Sequence, residues 1–153
     1  FEFRQVKKRY VAMLHGRLEN PPGEGPWGTW RRALAKTAGG RHHPQGTGRQ
    51  QPARTRYRIL DRSAHYTMVE IELLSGRKHQ IRRHAKMSGH AVVGDTRYGS
   101  KRAADYLRKN FAFNRLALHA HALTFRLPGG TEPETVTTPA IPGQMQNLFQ
   151  DDR

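Results

Sequence analysis

Residues 75–95 read SGRKHQIRRHAKMSGHAVVGD. The stretch holds five Lys or Arg and three His in twenty-one residues, opens on Ser-Gly and closes on Gly-Asp. Ser75-Gly76 breaks the strand pattern before it. Ile81 and Ala85 then stand at helical spacing, Lys86 falls in the last turn where a cation suits the helix dipole, and Gly89 sits where a left-handed cap belongs. The spacing predicts a strand end, a tight turn, one short basic helix and a closing loop. By composition alone the segment is a generic positive patch, a cluster of metal-binding histidines or part of an active site.

The flanks decide the fold class. Ahead of the stretch, ARTRYRILD (53–61) alternates with Thr55, Tyr57 and Ile59 on one face. YTMVEIELL (66–74) sets Val69, Ile71 and Leu73 inward and Glu70 and Glu72 outward. The short RSAH link predicts an antiparallel hairpin. Further upstream, QVKKRYVAMLHG (5–16) alternates, with Tyr10, Ala12 and Leu14 on one face and Val11 and Met13 on the other. Downstream, SKRAADYLRKNF (100–111) reads as a second helix. ALHAHALTFRLP (117–128) reads as a strand with His119, His121, Leu123, Phe125 and Leu127 on one face. The tail ETVTTPAIPGQMQNLFQ (134–150) predicts one more strand and a short helix. Strands and helices do not alternate as parallel crossover units. The expected fold is therefore α+β, a mixed and mainly antiparallel sheet with packed helices.

Between Asn20 and Pro52 the composition shifts to Gly, Pro, Arg and His, and only WRRALAK (30–36) offers a helical turn or two. Little regular structure is expected there. The segment is either a mobile phosphate-contacting loop, through Arg31, Arg32, Arg41 and Arg49 with Arg54 just beyond it, or a merely solvated insertion.

The chain has 153 residues, enough for one domain with a real core. Its 27 Lys and Arg against 12 acids leave a formal charge of +15, which fits a polyanionic partner, most often nucleic acid. There is no Cys, hence no disulfide and no thiolate metal site. No apolar run approaches the ~20 residues of a membrane span. With no signal-peptide layout, the default compartment is the cytoplasm. The chain opens mid-pattern and without Met, as the C-terminal piece of something longer or a processed chain would. Nothing in the sequence fixes an oligomeric state.

Among candidate chemistries, His79 and His84 are five apart, whereas a helical zinc pair is four apart, so no metal is expected. Glu70 and Glu72 point to water or to the Arg-rich neighbouring strand. Asp61 and Asp95 suit turn chemistry at least as well as nucleophilic roles. Arg77 follows a Gly between strand and helix. There it either presents a planar guanidinium fork to a carboxylate or phosphate, or is one more surface Arg.

The stretch resembles the signature of RluA-type pseudouridine synthases, roughly Thr-Gly-Arg-x-His-Gln-Ile-Arg-x-His, then Gly-His-Pro and Gly-Asp-x-x-Tyr-Gly. KKRYVAMLHG resembles that family's Lys-x-Tyr-x-Ala segment, ARTRYRIL its Ala-x-Thr-x-Tyr, and RLALHAHALTF its Arg-Leu-x-Leu-His-Ala strand. Four segments in order span Lys7 to Pro128.

The resemblance implies isomerisation of uridine to pseudouridine in rRNA or tRNA, with the target base flipped out of the RNA and no metal or organic cofactor. It implies that Tyr10 packs on the flipped base and serves as a proposed proton acceptor. Arg77 would pair with the catalytic Asp and keep it ionised. Gly76, His79, Gln80, Gly94 and Asp95 would be architectural. Lys78, Arg82, Arg83 and Lys86 join the insertion arginines as RNA contacts.

That Asp belongs to a His-Arg-Leu-Asp segment ahead of the Lys-x-Tyr-x-Ala strand, so it is expected upstream of this chain. RILDR imitates the segment on the wrong strand, and Asp61 is not the nucleophile. Ala91 replaces the usual Pro. The 153 residues are thus expected to be the C-terminal part of a catalytic domain with an insertion at about 20–52, inactive by itself. The alternatives are a non-catalytic RNA-binding module or degenerate synthase, and a ribosome-associated structural protein, which would not account for the four ordered motifs.

Overall fold

A computed structural model describes residues 6–138 and 140–153. The strand pattern read from Gln5 and the tail pattern through Pro139 each include a residue outside the described ones. In chain order the elements are β1 (Lys7–His15), β2 (Trp27–Trp30), β3 (Leu34–Thr37), β4 (Thr47–Gln51), β5 (Thr55–Arg62), β6 (Tyr66–Leu73), α1 (Gln80–Met87), α2 (Lys101–Phe111), β7 (Leu118–Phe125), β8 (Glu134–Thr137) and α3 (Gly143–Asp151).

Six strands form one sheet in the order β2-β5-β6-β1-β7-β8, and β3 with β4 forms a second, two-stranded sheet. Each pairing is antiparallel, as the expected α+β architecture requires. The β5–β6 hairpin forms as read, with Tyr57 opposite Ile71 and Ile59 opposite Val69.

The centre of the sheet carries the core. In β1, four successive residues from Val11 to Leu14 are buried, so both faces of that strand are covered. Ile81 and Ala85 bring α1 onto this core, Leu107 brings α2, and Met145, Leu148 and Phe149 bring α3. Helix α1 ends as its sequence predicted. Gly89 takes φ +87°, its N–H donates to the Lys86 carbonyl, and that of His90 donates to the Ala85 carbonyl. Helix α2 begins on Ser100, whose hydroxyl accepts the Ala103 N–H.

Two expectations fail. The Asn20–Pro52 segment is not without regular structure but holds three short strands, and WRRALAK makes no helix. The segment contributes β2 to the edge of the main sheet and folds β3 and β4 into a hairpin. Tertiary contacts override the weak local signal. Trp30 stacks on Tyr57 at 4.6 Å between ring centroids, and Leu34 and Ala35 are buried. The second failure lies in β7. Tyr10 faces Ala120 while Arg9 faces Ala122, so His121 is an extra residue with no opposite number. The bulge reverses the alternation and sets His119 and Leu123 on opposite faces.

Gly28 shows why β2 seats where it does. A Cβ there would lie 2.5 Å from the Tyr57 ring. Gly28→Ala is expected to push Tyr57 off Trp30 and cost about 1–3 kcal/mol, read as a lowered urea midpoint with unchanged m-value.

Candidate active site

Tyr10 and Arg77 are 67 residues apart in sequence, and the fold brings both to one cleft of about 400 Å³. Leu73, Ile81, Leu116 and Leu118 make its apolar wall; Lys8, Arg77 and Arg82 make its basic rim. Burial pushes the Tyr10 phenol's pKa up, so its ring meets a ligand as a neutral OH. Among the described residues no carboxylate lines the cleft.

The turn between β6 and α1 is built around the Gln80 amide, which is buried and uses all its hydrogen-bonding capacity. Its Oε1 accepts from Ser75 Oγ at 2.7 Å and from the Arg77 N–H at 3.0 Å. Its Nε2 donates to the Arg54 carbonyl and to Thr55 Oγ1, both at 2.9 Å. One side chain thus joins the turn, the helix start and the start of β5. The Arg77 side chain is fixed in turn by Nε, which donates to the Pro52 carbonyl at 3.0 Å. Among the described residues its two terminal nitrogens have no acceptor. A guanidinium held at the root and open at the tip is disposed to take a bidentate anion.

Thr55 passes the network on. Its hydroxyl accepts from Gln80, leaving its hydrogen for His84 Nδ1 at 2.9 Å, and His84 Nε2 donates to the Arg32 carbonyl at 2.8 Å. Both ring nitrogens are therefore committed, and burial holds the His84 pKa below its ordinary value. Arg83 is the correction to the expected RNA contacts. It is fully buried and donates to the carbonyls of Pro44, Ala35, Gln45 and Lys78. It docks the β3–β4 hairpin on α1 and is not available to phosphate. Helical periodicity at Ile81 and Ala85 gave no sign of this, because the hairpin covers a further side of the helix.

Arg82 is the neighbour that does face the cleft. It forks onto Asp95, Nε to Oδ2 and Nη2 to Oδ1, both at 2.8 Å. Asp95 also accepts the Arg97 and Tyr98 N–H groups at 3.0 Å, the turn chemistry read from GDTRYG. Burial pulls the Asp95 pKa up, but the Arg82 fork and the backbone donors outweigh it and hold the carboxyl below its usual range. Gly94 precedes it at φ +81°, where a Cβ would meet the Arg115 carbonyl. His79 closes the ring at φ +53°, a left-handed conformation rare for a side-chain-bearing residue, with Nδ1 bonded to the Tyr98 hydroxyl at 2.8 Å. Gly76 lies on the cleft wall.

The remaining expected contacts are at the surface. Arg31, Arg32, Arg49, Arg54 and Lys78 are exposed, and Arg41 and Lys86 half-buried. Asp61 is at the far end of β5, about 20 Å along the strand from Thr55, and paired with Arg153. Glu70 and Glu72 pair with Arg58 and Arg56 across the hairpin. Sequence reading placed Thr55 on a strand face and weighed His84 only as a metal ligand, and gave neither these nor Tyr98 a place in this network. All three belong to the quoted motifs; the contact that fixes His84 lies 52 residues away in sequence.

The model of the RNA pseudouridylate synthase family matches residues 1–87, more than half of the chain. The chain belongs to this family. Over 96% of its length it is 33% identical to a protein of Chloroflexus aurantiacus described as an uncharacterized RNA pseudouridine synthase, covering 42% of that relative. It is 37% identical over 94 residues to ribosomal large subunit pseudouridine synthase C of Escherichia coli, covering 61% of this chain and 30% of that one. Among solved structures, human RNA pseudouridylate synthase domain containing 1 superposes with a TM-score of 0.69 at 30% identity, covering 90% of this chain and 56% of that one. The chain thus spans less than half the length of these curated relatives. Three of the four motifs lie on strands of one sheet, β1, β5 and β7, and the fourth forms the turn after β6 and helix α1.

Burial lowers the pKa of His15, His79, His84 and His119. The folded state therefore resists protons that the unfolded chain takes up near pH 6.5. Stability is expected to be full above about pH 6.5 and to fall as the pH drops through that value, levelling off below the depressed folded-state pKa values. Urea midpoints at about pH 7.5 and about pH 5.5 should show the loss, and His84→Gln should reduce it.

Proposed function

We propose that this chain is the part of an RNA pseudouridine synthase that receives a flipped uridine and orients the catalytic carboxylate, which a segment outside these residues supplies. The observation that carries the reading is the open end of Arg77, beside Tyr10, in a cleft that no carboxylate among the described residues lines. In the reaction the C1′–N1 bond of uridine breaks, the uracil turns, and a C1′–C5 bond forms. The C5 proton leaves and N1 regains one, so atoms and charge balance without a cofactor. Arg77 keeps the attacking carboxylate ionised by pairing with it. Tyr10 packs on the base, and any proton it accepts must be matched by one it passes on, because its phenol starts neutral.

The region from Arg31 to Leu60 contains no Asp or Glu and presents Arg31, Arg32, Arg49 and Arg54 to solvent. It is the proposed phosphate grip, with Lys78 beside the cleft. The ribosomal name of the Escherichia coli relative favours rRNA over tRNA as substrate.

Tritium release from RNA carrying 5-tritiated uridine tests the assignment. The intact protein is expected to release tritium and the 153-residue chain alone to stay at background. Turnover by the chain alone would place the nucleophile within it. In the intact protein, Arg77→Ala should lower kcat by about 100-fold or more while RNA affinity changes little. Equal loss of both would move Arg77 from the active site to the surface patch.

Replacing Arg31, Arg32, Arg49 and Arg54 by Ala should flatten the dependence of log affinity on log salt by about 0.7–0.9 for each phosphate no longer neutralised. An unchanged slope would make the segment a bystander to binding.

A further inference from the structure

Helix α2 buries Leu107 in the core and half-buries Ala103 and Ala104; its other residues are exposed. It carries Lys101, Arg102, Arg108 and Lys109 against one acid, Asp105, which Arg108 pairs at 3.0 Å. Arg102, Tyr106 and Lys109 follow the i, i+4, i+7 spacing of one helix face. Tyr106 is 58% exposed and Phe111, with its ring 6.0 Å away, 45% exposed. Large exposed aromatics among cations call for an explanation that core packing does not provide.

Beneath this face lies a second cleft of about 320 Å³, lined by His15, Tyr66, Arg102, Tyr106 and the first turn of α2. The His15 and Tyr66 rings stand 5.7 Å apart on its floor. His15 is five residues beyond Tyr10 on the same strand, about 17 Å along it, and therefore projects from the opposite face of the sheet. This cleft is separate from the one that holds Arg77.

We propose that this aromatic notch and the Arg102–Tyr106–Lys109 face form a second RNA-binding surface, taking unpaired bases against Tyr66 and Tyr106 and phosphates on Arg102 and Lys109. Aromatic rings stack any base, and interleaved cations hold the backbone, so the site selects single-stranded or looped RNA without reading its sequence. The protein would grip one region of its RNA here while another region presents the target uridine to the Arg77 cleft. The inference rests on the synthase reading for that last step only.

The test uses the intact protein, single-stranded oligouridine and a paired RNA duplex, with affinity read by fluorescence anisotropy across a salt series. Tyr106→Ala should weaken oligouridine binding roughly ten-fold without altering the salt slope, and duplex binding much less. Arg102→Ala with Lys109→Ala should flatten the slope. Tyr106 and the two cations are exposed, so thermal stability should hold in all three, and Tyr106→Phe should restore binding. Unchanged oligouridine affinity in Tyr106→Ala and in the double variant would overturn the proposal. So would intact RNA binding coupled to loss of a protein partner, which would make the face a protein-docking surface. If wild type binds oligouridine through Tyr106 but releases no tritium, the synthase reading fails and the second surface stands.

Discussion

The cleft depends on one constraint: the buried amide of Gln80 must find two donors and two acceptors, and the fold provides all four. Leaving any of them unmet would cost about 1–3 kcal/mol. Meeting them locks the turn after β6 against the start of β5, and with it the backbone of Arg77. His79 next to it takes a left-handed conformation that costs about 1–3 kcal/mol. The Gln80 bonds on one side and the Tyr98 hydroxyl on the other stabilise what the local backbone would not choose.

The same network extends into the insertion. Arg77 leans on the Pro52 carbonyl, His84 on that of Arg32, and Arg83 on those of Ala35, Pro44 and Gln45. The basic helix is thus a hub with the cleft on one side and the hairpin on the other. Its charge divides by position. Arg83 is consumed by docking, Arg82 by Asp95, Lys86 is half-buried in the last turn, and Lys78 just ahead of the helix is left to solvent.

Much of this was legible in the sequence. Period-two alternation located the four long strands: β1, β5 and β6 set residues into the core, and β7 alternates with half-buried ones. Helix α1 was readable from Ile81, Ala85 and Gly89. The pairing of Tyr10 with Arg77 came from ordered motifs, since no local pattern joins residues so distant. What could not be read depends on contacts between segments. Strands β2, β3 and β4 are too short to alternate visibly and exist because Tyr57 and Arg83 give them something to dock on. The β7 bulge is a mismatch between two strands, invisible in either one. Arg83 and Arg82 are adjacent and alike in sequence, and only the hairpin's position makes one of them interior.

The way α1 holds the insertion has a consequence for how the protein can change. Arg83 and His84 grasp main-chain oxygens, which every amino acid carries. The grip is indifferent to what side chains the hairpin displays, provided its path is kept. A loop secured in this manner works like a socket for interchangeable tips: its outward residues can drift or be exchanged wholesale while the scaffold beneath stays undisturbed. Such a division would let the exposed residues of the hairpin vary without disturbing the cleft that holds Tyr10 and Arg77.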